Sequence, residues 1–307
     1  MTVNPFAPRI ALFAETRDSH ARALSRRLEA GGAEVRRISL AQCSFDTTRR
    51  IGIVLPGYGR ALPDAAIVRS IPSGSFEAVT RRLGILHGLR EQGVLVWNDA
   101  RAIERCVDKS TTSFLLARAG IGTPATWTVE SKAEAERLVR REMMSGPLVL
   151  KPLFGAQGRG IRLIQSPADL PEAGDVAGVY YLQRFIGLEQ QGFRDYRVFV
   201  VAGRAIAAMV RHSTHWVTNV KQGGQPLPLD PDPELDSVAV RAAAAVGADF
   251  CGVDIIRNRA GEAAVLEVNS MPAWSGLQKV TEADIPGEIA AALLLALDSV
   301  LMRRDVG

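Results

Sequence analysis

Residues 250–272, FCGVDIIRNRAGEAAVLEVNSMP, constrain this chain more tightly than any other stretch. Two apolar, β-branched runs, 251–256 and 263–268, flank the turn-forming set Asn258, Arg259, Ala260 and Gly261, which is the pattern of a β-hairpin. Three polar side chains interrupt those runs: Asp254, Glu267 and Asn269. Glu267 and Asn269 are two apart and share a face, and a hairpin folded about Ala260 and Gly261 sets Asp254 opposite Glu267. Two facing carboxylates inside apolar strands repel each other and are costly to bury unpaired. A hard divalent cation removes the conflict, and oxygen ligands without His or Cys suit Mg²⁺ or Mn²⁺ rather than Zn²⁺. A plain hairpin with solvated or salt-bridged acids is the competing reading, and the apolar setting favours the metal.

At 307 residues, 47% of them hydrophobic, the chain is long enough for two or three packed units. No apolar run is expected to approach the roughly 20 residues of a membrane span, and no secretory apolar segment opens the chain. A cytoplasmic location without membrane contact is therefore expected. Cys43, Cys106 and Cys251 are odd in number and widely spaced, so buried free thiols are expected rather than disulfides or a zinc site. Lys and Arg exceed Asp and Glu by 37 to 33, but without the concentrated basic stripe or interleaved aromatics of a nucleic-acid binder.

The N-terminal part alternates strands and helices: strands at 9–14, 35–40, 51–55 and 94–97, with helices at 19–31 and 76–92, in the manner of a parallel sheet. The first turn reads AETRDSHA and lacks the glycines of GxGxxG, which excludes a dinucleotide-binding fingerprint. Arg69, Ser73 and Ser75 form either a polar rim facing the site or a solvated loop.

Asp108 precedes an apolar helical pattern and caps it; Gly120 and Gly122 end that helix, and Pro124 keeps it from resuming. Lys109 in its first turn opposes the helix dipole, so it either answers a phosphate or is a surface lysine. A helix at 132–144 leads to the strand LVLKP at 148–152, where Lys151 sits among apolar neighbours and needs an anionic partner. Gly155, Gly158 and Gly160 follow within six residues between two strands, a loop whose N–H groups can close over phosphate oxygens. After a polar linker at 167–178, a further strand is expected at 179–186, carrying Gln183 and Phe185. Asp195 and Arg197 share a strand face, and with Arg211 on the next strand they make a clamp for phosphate or carboxylate. His212 and His215 read as rim or surface residues. NVKQGG at 219–224 reads as a mobile polar loop, and 234–247 as a buried helix.

In order, DKSTT, LVLKP with FGAQGRGI, YLQRFI, DYRVFV, MVRH, NVKQGG, CGVDII and LEVNSMP resemble the ATP-grasp ligases, most closely the RimK-like glutamate ligases. The resemblance runs from about residue 95 to 285, and the N-terminal segment is similar to a pre-ATP-grasp domain. It implies an α/β (α+β) ATP-grasp fold in three units: 1–104, 105–186 carrying the glycine flap, and 187–307 carrying the metal site, with ATP clasped between the last two.

The resemblance also implies roles. Lys109, Lys151 and the loop of Gly155, Gln157, Gly158 and Gly160 would bind ATP phosphates; Gln183 and Phe185 the adenine, with Asp195 alongside; Asp254, Glu267 and Asn269 Mg²⁺ or Mn²⁺. Arg197 and Arg211 would act in catalysis by neutralising the transferred phosphoryl group. The implied reaction joins L-glutamate or another amino acid to a carboxylate-bearing small molecule through an acyl phosphate, in a homodimer or homotetramer. The run MPAWSGLQKVTEADIP at 271–286 departs from the commoner RimK pattern and, with SIPSGSF and RLGILHG, is similar to the subgroup linked to tetrahydromethanopterin assembly. Trp274 then either packs against a flat acceptor or fills the core. Ligation to a protein C-terminus, an ATP-grasp kinase and a noncatalytic nucleotide-binding module are the alternatives.

Overall fold

The computed structural model describes residues 7–155, 158–187 and 192–305. The chain opens with β1 (Arg9–Phe13), α1 (Ser19–Ala30), β2 (Glu34–Ile38), β3 (Ser44–Phe45), β4 (Ile53–Val54), β5 (Ala65–Val68), α2 (Phe76–Glu91), β6 (Leu95–Trp97) and α3 (Ala100–Val107). Four of these strands form a parallel sheet in the order β2-β1-β5-β6. Alternation along β1 and β5 divides its two faces. Ile10, Leu12, Ala65 and Ile67 pack against α1 through Leu24 and Leu28, while Ala11, Phe13, Ala66 and Val68 pack against α2 through Ile85, Leu86 and Leu89. The expected strand at 51–55 does not join this sheet. It pairs antiparallel with β3 in a separate two-stranded ribbon, and β5 takes its place beside β1.

The middle of the chain supplies α4 (Lys109–Arg118), β7 (Thr126–Val129), α5 (Lys132–Glu142), β8 (Leu148–Lys151), β9 (Arg162–Ile164) and β10 (Tyr180–Arg184). Its antiparallel sheet runs β7-β10-β8-β9. Asp108 begins α4 as expected, its Oδ1 accepting from the N–H groups of Ser110 and Thr111 at 2.9 and 3.2 Å.

The last part holds β11 (Phe193–Val201), β12 (Arg204–Ser213), β13 (Gln225–Pro228), α6 (Pro233–Val246), β14 (Phe250–Arg257), β15 (Ala263–Asn269) and α7 (Ile285–Asp305). Its five-stranded antiparallel sheet is ordered β13-β12-β11-β14-β15. One face carries Tyr196, Val198, Val200, Val253 and Ile255 onto α6, which ends where Gly247 takes a left-handed φ of 76°. The opposite face changes character along β11. Phe199 and Val201 join the core shared with the first sheet, whereas Asp195 and Arg197, on the same face nearer the start of the strand, are left for a site.

Asn98 fixes that second face to the first sheet. Fully buried, its side chain donates to the carbonyls of Phe250 and Ser270 at 2.7 Å each and accepts from the N–H groups of Asp249 and Phe250. Both ends of the acidic hairpin are thereby tied to the loop after β6. Trp274 is 3% exposed and lies in the shared core against Phe199 and His20, as the core alternative has it.

The expectation of no span-length apolar run fails at α7. Ile285–Arg303, 19 residues with mean hydropathy 1.8, is long and apolar enough to cross a membrane by composition alone. Its Ile285, Ile289, Leu293 and Leu297 recur every four residues and pack into the shared core, while Leu295 and Met302 are exposed. Of the three thiols, Cys43 and Cys251 are buried and free as expected; Cys106, also free, is only half-buried.

Candidate active site

The hairpin turn is set by Asn258, whose Oδ1 accepts from the N–H groups of Ala260 and Glu262 at 2.9 and 3.0 Å. This turn fixes the register, and Asp254 stands directly opposite Glu267. The register then slips by one between Asp254 and Ile255, leaving Leu266 as an extra residue on β15. Such a bulge re-aims neighbouring side chains, and Leu266 and Glu267, which strict alternation would send to opposite faces, both line the cleft.

The same register logic assembles a charged row. Arg197 on β11 faces Asp254 on β14, and Asp195 on β11 faces Arg211 on β12. The Arg197 Nε and Nη2 groups donate to the two Asp254 oxygens at 2.7 Å each, a bidentate pair. Arg211 Nε donates to Asp195 Oδ1 at 2.8 Å, its Nη2 to Asp195 Oδ2, and the same Nη2 lies 3.0 Å from Asp254 Oδ2. All four residues are buried. Burial drives the Asp254 carboxyl upward, but Arg197 and Arg211 outweigh it and hold it below the usual carboxylate range. Burial likewise works against charge on Arg211, and Asp254 and Asp195 outweigh it and raise its pKa.

The facing wall is built differently. Lys151, at the end of β8, donates from Nζ to Gln183 Oε1 at 2.6 Å, while Gln183 Nε2 donates to the hydroxyls of Tyr181 and Thr126. Gln183 is buried, so its side chain holds Lys151 rather than reaching outward to a base. Lys109 is half-buried and donates to the carbonyls of Leu153 and Gly155 at 3.3 and 2.9 Å. It therefore tethers the root of the glycine loop and is no simple surface lysine. Burial pulls both ammonium pKa values down; nearby Glu267 is the strongest influence holding each up. Glu267 itself has no hydrogen-bond or ion-pair partner among the described residues.

Between the walls lies a cavity of about 130 Å³. Lys151, Gly158, Gln183, Phe185, Asp195, Arg211, Asp254 and Glu267 line it, as the sequence led one to expect. Lys109, Gly155, Gly160, Arg197 and Asn269 do not line it, and Gln157 lies outside the described residues. Gly158 has φ +70°, and a Cβ there would stand 3.0 Å from Val217 and 3.4 Å from Gln222, so the loop tip meets the segment after β12 across the cleft. That segment, expected as a mobile loop, folds as a 3₁₀ turn at Val220–Gln222 capped by Asn219.

Several lining residues carried no prior signal. Trp216 packs edge-on against Phe185 with centroids 5.8 Å apart, and Ile256 and Thr218 extend the same wall. An apolar residue two positions beyond Asp254 was the one available cue, for Ile256. His215 is exposed and accepts from the Val217 N–H, and half-buried His212 does not line the cavity. Ser73 and Ser75 are exposed, the latter capping α2; Arg69, at 4% exposure, is neither rim nor solvated loop.

The cleft is thus a cationic wall with a glycine loop facing a wall of paired charges and one unpartnered carboxylate. A RimK-like ATP-grasp domain model matches residues 106–293, more than half of the chain. The chain belongs to the RimK-like ATP-grasp family.

RimK-like relatives agree. The chain is 34% identical over 226 residues to the tetrahydromethanopterin:alpha-L-glutamate ligase of Methanococcus maripaludis, covering 72% of this chain and 75% of that one. It is 37% identical over 271 residues to a probable alpha-L-glutamate ligase of Maridesulfovibrio salexigens, covering 85% and 86%. The fold is that of the ATP-grasp ligase PsnB, solved with a minimal precursor, Mg and ADP, at TM-score 0.72, 21% identity and coverage of 94% and 97%. D-cycloserine synthetase DcsG follows at TM-score 0.68 and 19% identity, with coverage of 94% and 99%. This RimK-like protein is an ATP-grasp ligase with an α+β fold.

Asp254, Glu267 and Asn269 offer oxygen donors only, which suits a hard cation. Glu267 is unpartnered and points into the cleft, whereas Asp254 already serves two arginines and Asn269 Oδ1 accepts from Met271 N–H at 3.1 Å. The oxygen chemistry of the set suits a hard cation, Glu267 is its one unpartnered member, and among the described residues no three His, Cys, Asp or Glu side chains are grouped as a metal site.

Proposed function

We propose that this RimK-like protein joins L-glutamate to a carboxylate-bearing small molecule of the tetrahydromethanopterin type, using ATP and an acyl-phosphate intermediate. The names of its relatives support glutamate and the acceptor class. What carries the reading on chemical grounds is the strand register that lines up Arg197, Asp254 and Glu267 opposite Lys151. We assign three units, 1–104, 105–186 and 187–307, with ATP held between the last two, and a cytoplasmic location, α7 being in part a core helix.

A carboxylate is resonance-stabilised and a poor electrophile. Transfer of the terminal phosphoryl group of ATP to a carboxylate oxygen releases ADP and leaves an acyl phosphate. The amine nitrogen of the amino acid then attacks the carbonyl carbon, the C–N bond forms, the C–O bond to phosphate breaks, and the nitrogen loses a proton. In this reading Lys151 and the N–H groups of the glycine loop receive phosphate oxygens, and Lys109 positions that loop. Phe185, with Trp216 against it, supports the adenine, and Gln183 positions Lys151. Arg211, fixed by Asp195 and Asp254 and lining the cavity, presents an oriented guanidinium group to the phosphoryl oxygens, and Arg197, set back from the cavity, holds Asp254 in place. Glu267, Asn269 and Asp254 would hold Mg²⁺ or Mn²⁺, which supplies charge neutralisation at phosphate oxygens when bound. The glycine loop, meeting the segment after β12, excludes water that would hydrolyse the intermediate.

The test is ADP and phosphate release across a matrix of carboxylic acids and amino acids, with mass spectrometry of the products. The expected result is amine-dependent release with glutamate and a product heavier by one glutamyl residue. A stable phosphorylated product formed without amine would replace the reading with a kinase, and nucleotide binding without turnover would replace it with a noncatalytic module.

A further inference from the structure

A glutamate ligase must hold a carboxylate that does not react, and in that reading the two arginines of the cleft serve their aspartates and the phosphoryl group. Arg197 is bidentate to Asp254, and Arg211 is divided between Asp195 and Asp254. Another guanidinium is in the opposite condition. Arg69 is 4% exposed, yet its Nε and Nη1 groups are buried without a hydrogen-bond partner. Its nearest acid is Asp18, whose Oδ2 lies 4.0 Å from Nε, beyond hydrogen-bond reach, and whose Oδ1 caps α1 by accepting from His20 and Ala21 N–H groups. Nε and Nη1 lie on opposite edges of the guanidinium, and each forms a fork with Nη2, which makes no hydrogen bond among the described residues; a planar, two-oxygen anion matches one such fork. Burial lowers the Arg69 pKa to about 10, with Asp18 opposing it, as befits a cation short of partners.

Its position fits a substrate. Arg69 follows β5 and Asp18 follows β1, at the carboxyl ends of two adjacent parallel strands, where open α/β sheets take their ligands. The Arg69 guanidinium lies 4.5 Å from the centroid of the Trp274 ring, which orients its plane. His20, whose Nδ1 is 3.5 Å from Asp18, and Trp274 wall a surface cavity of about 310 Å³, which Arg69 itself, lying behind them, does not line. The ring also connects Arg69 to the strand that carries Arg197. Phe199 packs edge-on against Trp274 at 6.0 Å and is two residues from Arg197 on one strand face. Trp274 is five residues beyond Asn269, at most about 18 Å along the chain.

We propose that Arg69 recognises a carboxylate of the incoming amino acid, a binding role outside the nucleotide cleft. The assignment deepens the ligase reading and rests on it for the identity of the amino acid, while binding can be measured without turnover. Calorimetric titration with L-glutamate, and with glutarate as a dicarboxylate lacking the amine, is made on wild type, Arg69→Gln and Arg69→Lys. The wild type is expected to bind both. Arg69→Gln should bind each about tenfold or more weakly, and Arg69→Lys, which keeps charge but loses the fork, should fall between. In turnover, the KM for glutamate should rise in the same order while the KM for ATP stays within about twofold, a split that a general structural role would not give. Either variant, melting near wild type, with unchanged dicarboxylate affinity would overturn the proposal, as would a wild type that binds neither ligand. Dicarboxylate binding that depends on Arg69, in a protein that releases no ADP with any amine, would support the subsite and sink the ligase reading alone.

Discussion

The two walls of the cleft hold their charges in opposite ways. On the five-stranded sheet, Arg197 and Arg211 are paired with Asp254 and Asp195 through short, directed contacts. On the facing wall, Lys151 at the end of β8 and Lys109 at the start of α4 donate to neutral oxygens, those of Gln183, Leu153 and Gly155. Neutral acceptors orient an ammonium without cancelling its charge. The first wall is therefore a finished scaffold, and the second keeps positive charge in reserve for an anion. Glu267 stands between them as the carboxylate with no partner among the described residues, and it alone faces both lysines electrostatically. Stability should concentrate in the first wall and ligand affinity in the second.

That contrast can be broken by substitution. Glu267→Ala is expected to abolish amine-dependent ADP release, by about a thousandfold or more, while melting near wild type, because Glu267 supports the reaction and has no hydrogen-bond or ion-pair partner among the described residues. Wild-type turnover by this variant would remove the carboxylate from the site. Arg197→Met should act on the fold. Leaving Asp254 buried with one arginine fewer costs about 3–5 kcal/mol, read as a lowered urea midpoint. A midpoint unchanged from wild type would show the paired wall to be no scaffold.

Gly158→Val tests the contact between the walls. Its φ of +70° and the 3.0 Å approach to Val217 leave no room for a branched side chain, so a loss of about tenfold or more in kcat/KM with little change in melting is expected. The smallest effect concerns Asp249, beside Asn98 at the base of the hairpin. Burial, with Asp99 adding to it, raises its carboxyl pKa to about 7. The folded state then holds a proton that the unfolded chain has released, so this residue's stabilising contribution is present below about pH 4 and is lost as pH rises through 7. Asp249→Asn should flatten that slope and raise the melting temperature at pH 8 by a few degrees, roughly what 1 kcal/mol gives.

The hairpin was legible because its register is local: Asn258 sets the turn, and the turn places Asp254 against Glu267. Asp195 and Arg197 could be put on one face by alternation alone. Their partners could not, because the pairing depends on β14 lying beside β11 while β12 lies on the other side, an order set by long-range packing. Lys109 was ambiguous for the same reason, since the carbonyls it grips come from a loop more than forty residues away. The bulge that turns Leu266 into the cleft breaks the very periodicity used to read strands. The helix α7 is rich in Ala and Leu on all sides, so periodicity gave little cue to it. Arg69 looked like part of a polar loop, and only the fold buries it beneath Trp274.

The central claim is best tested by measuring, on one preparation of Lys151→Met, both the affinity for the ATP analogue AMP-PNP with Mg²⁺ and the urea midpoint without ligand. Affinity reduced about a hundredfold or more is expected, with a midpoint equal to or above wild type, because removing a half-buried ammonium paired with a neutral oxygen relieves desolvation. Wild-type affinity, or a midpoint that falls as far as that of Arg197→Met, would contradict the division of the cleft into a scaffold wall and a ligand wall.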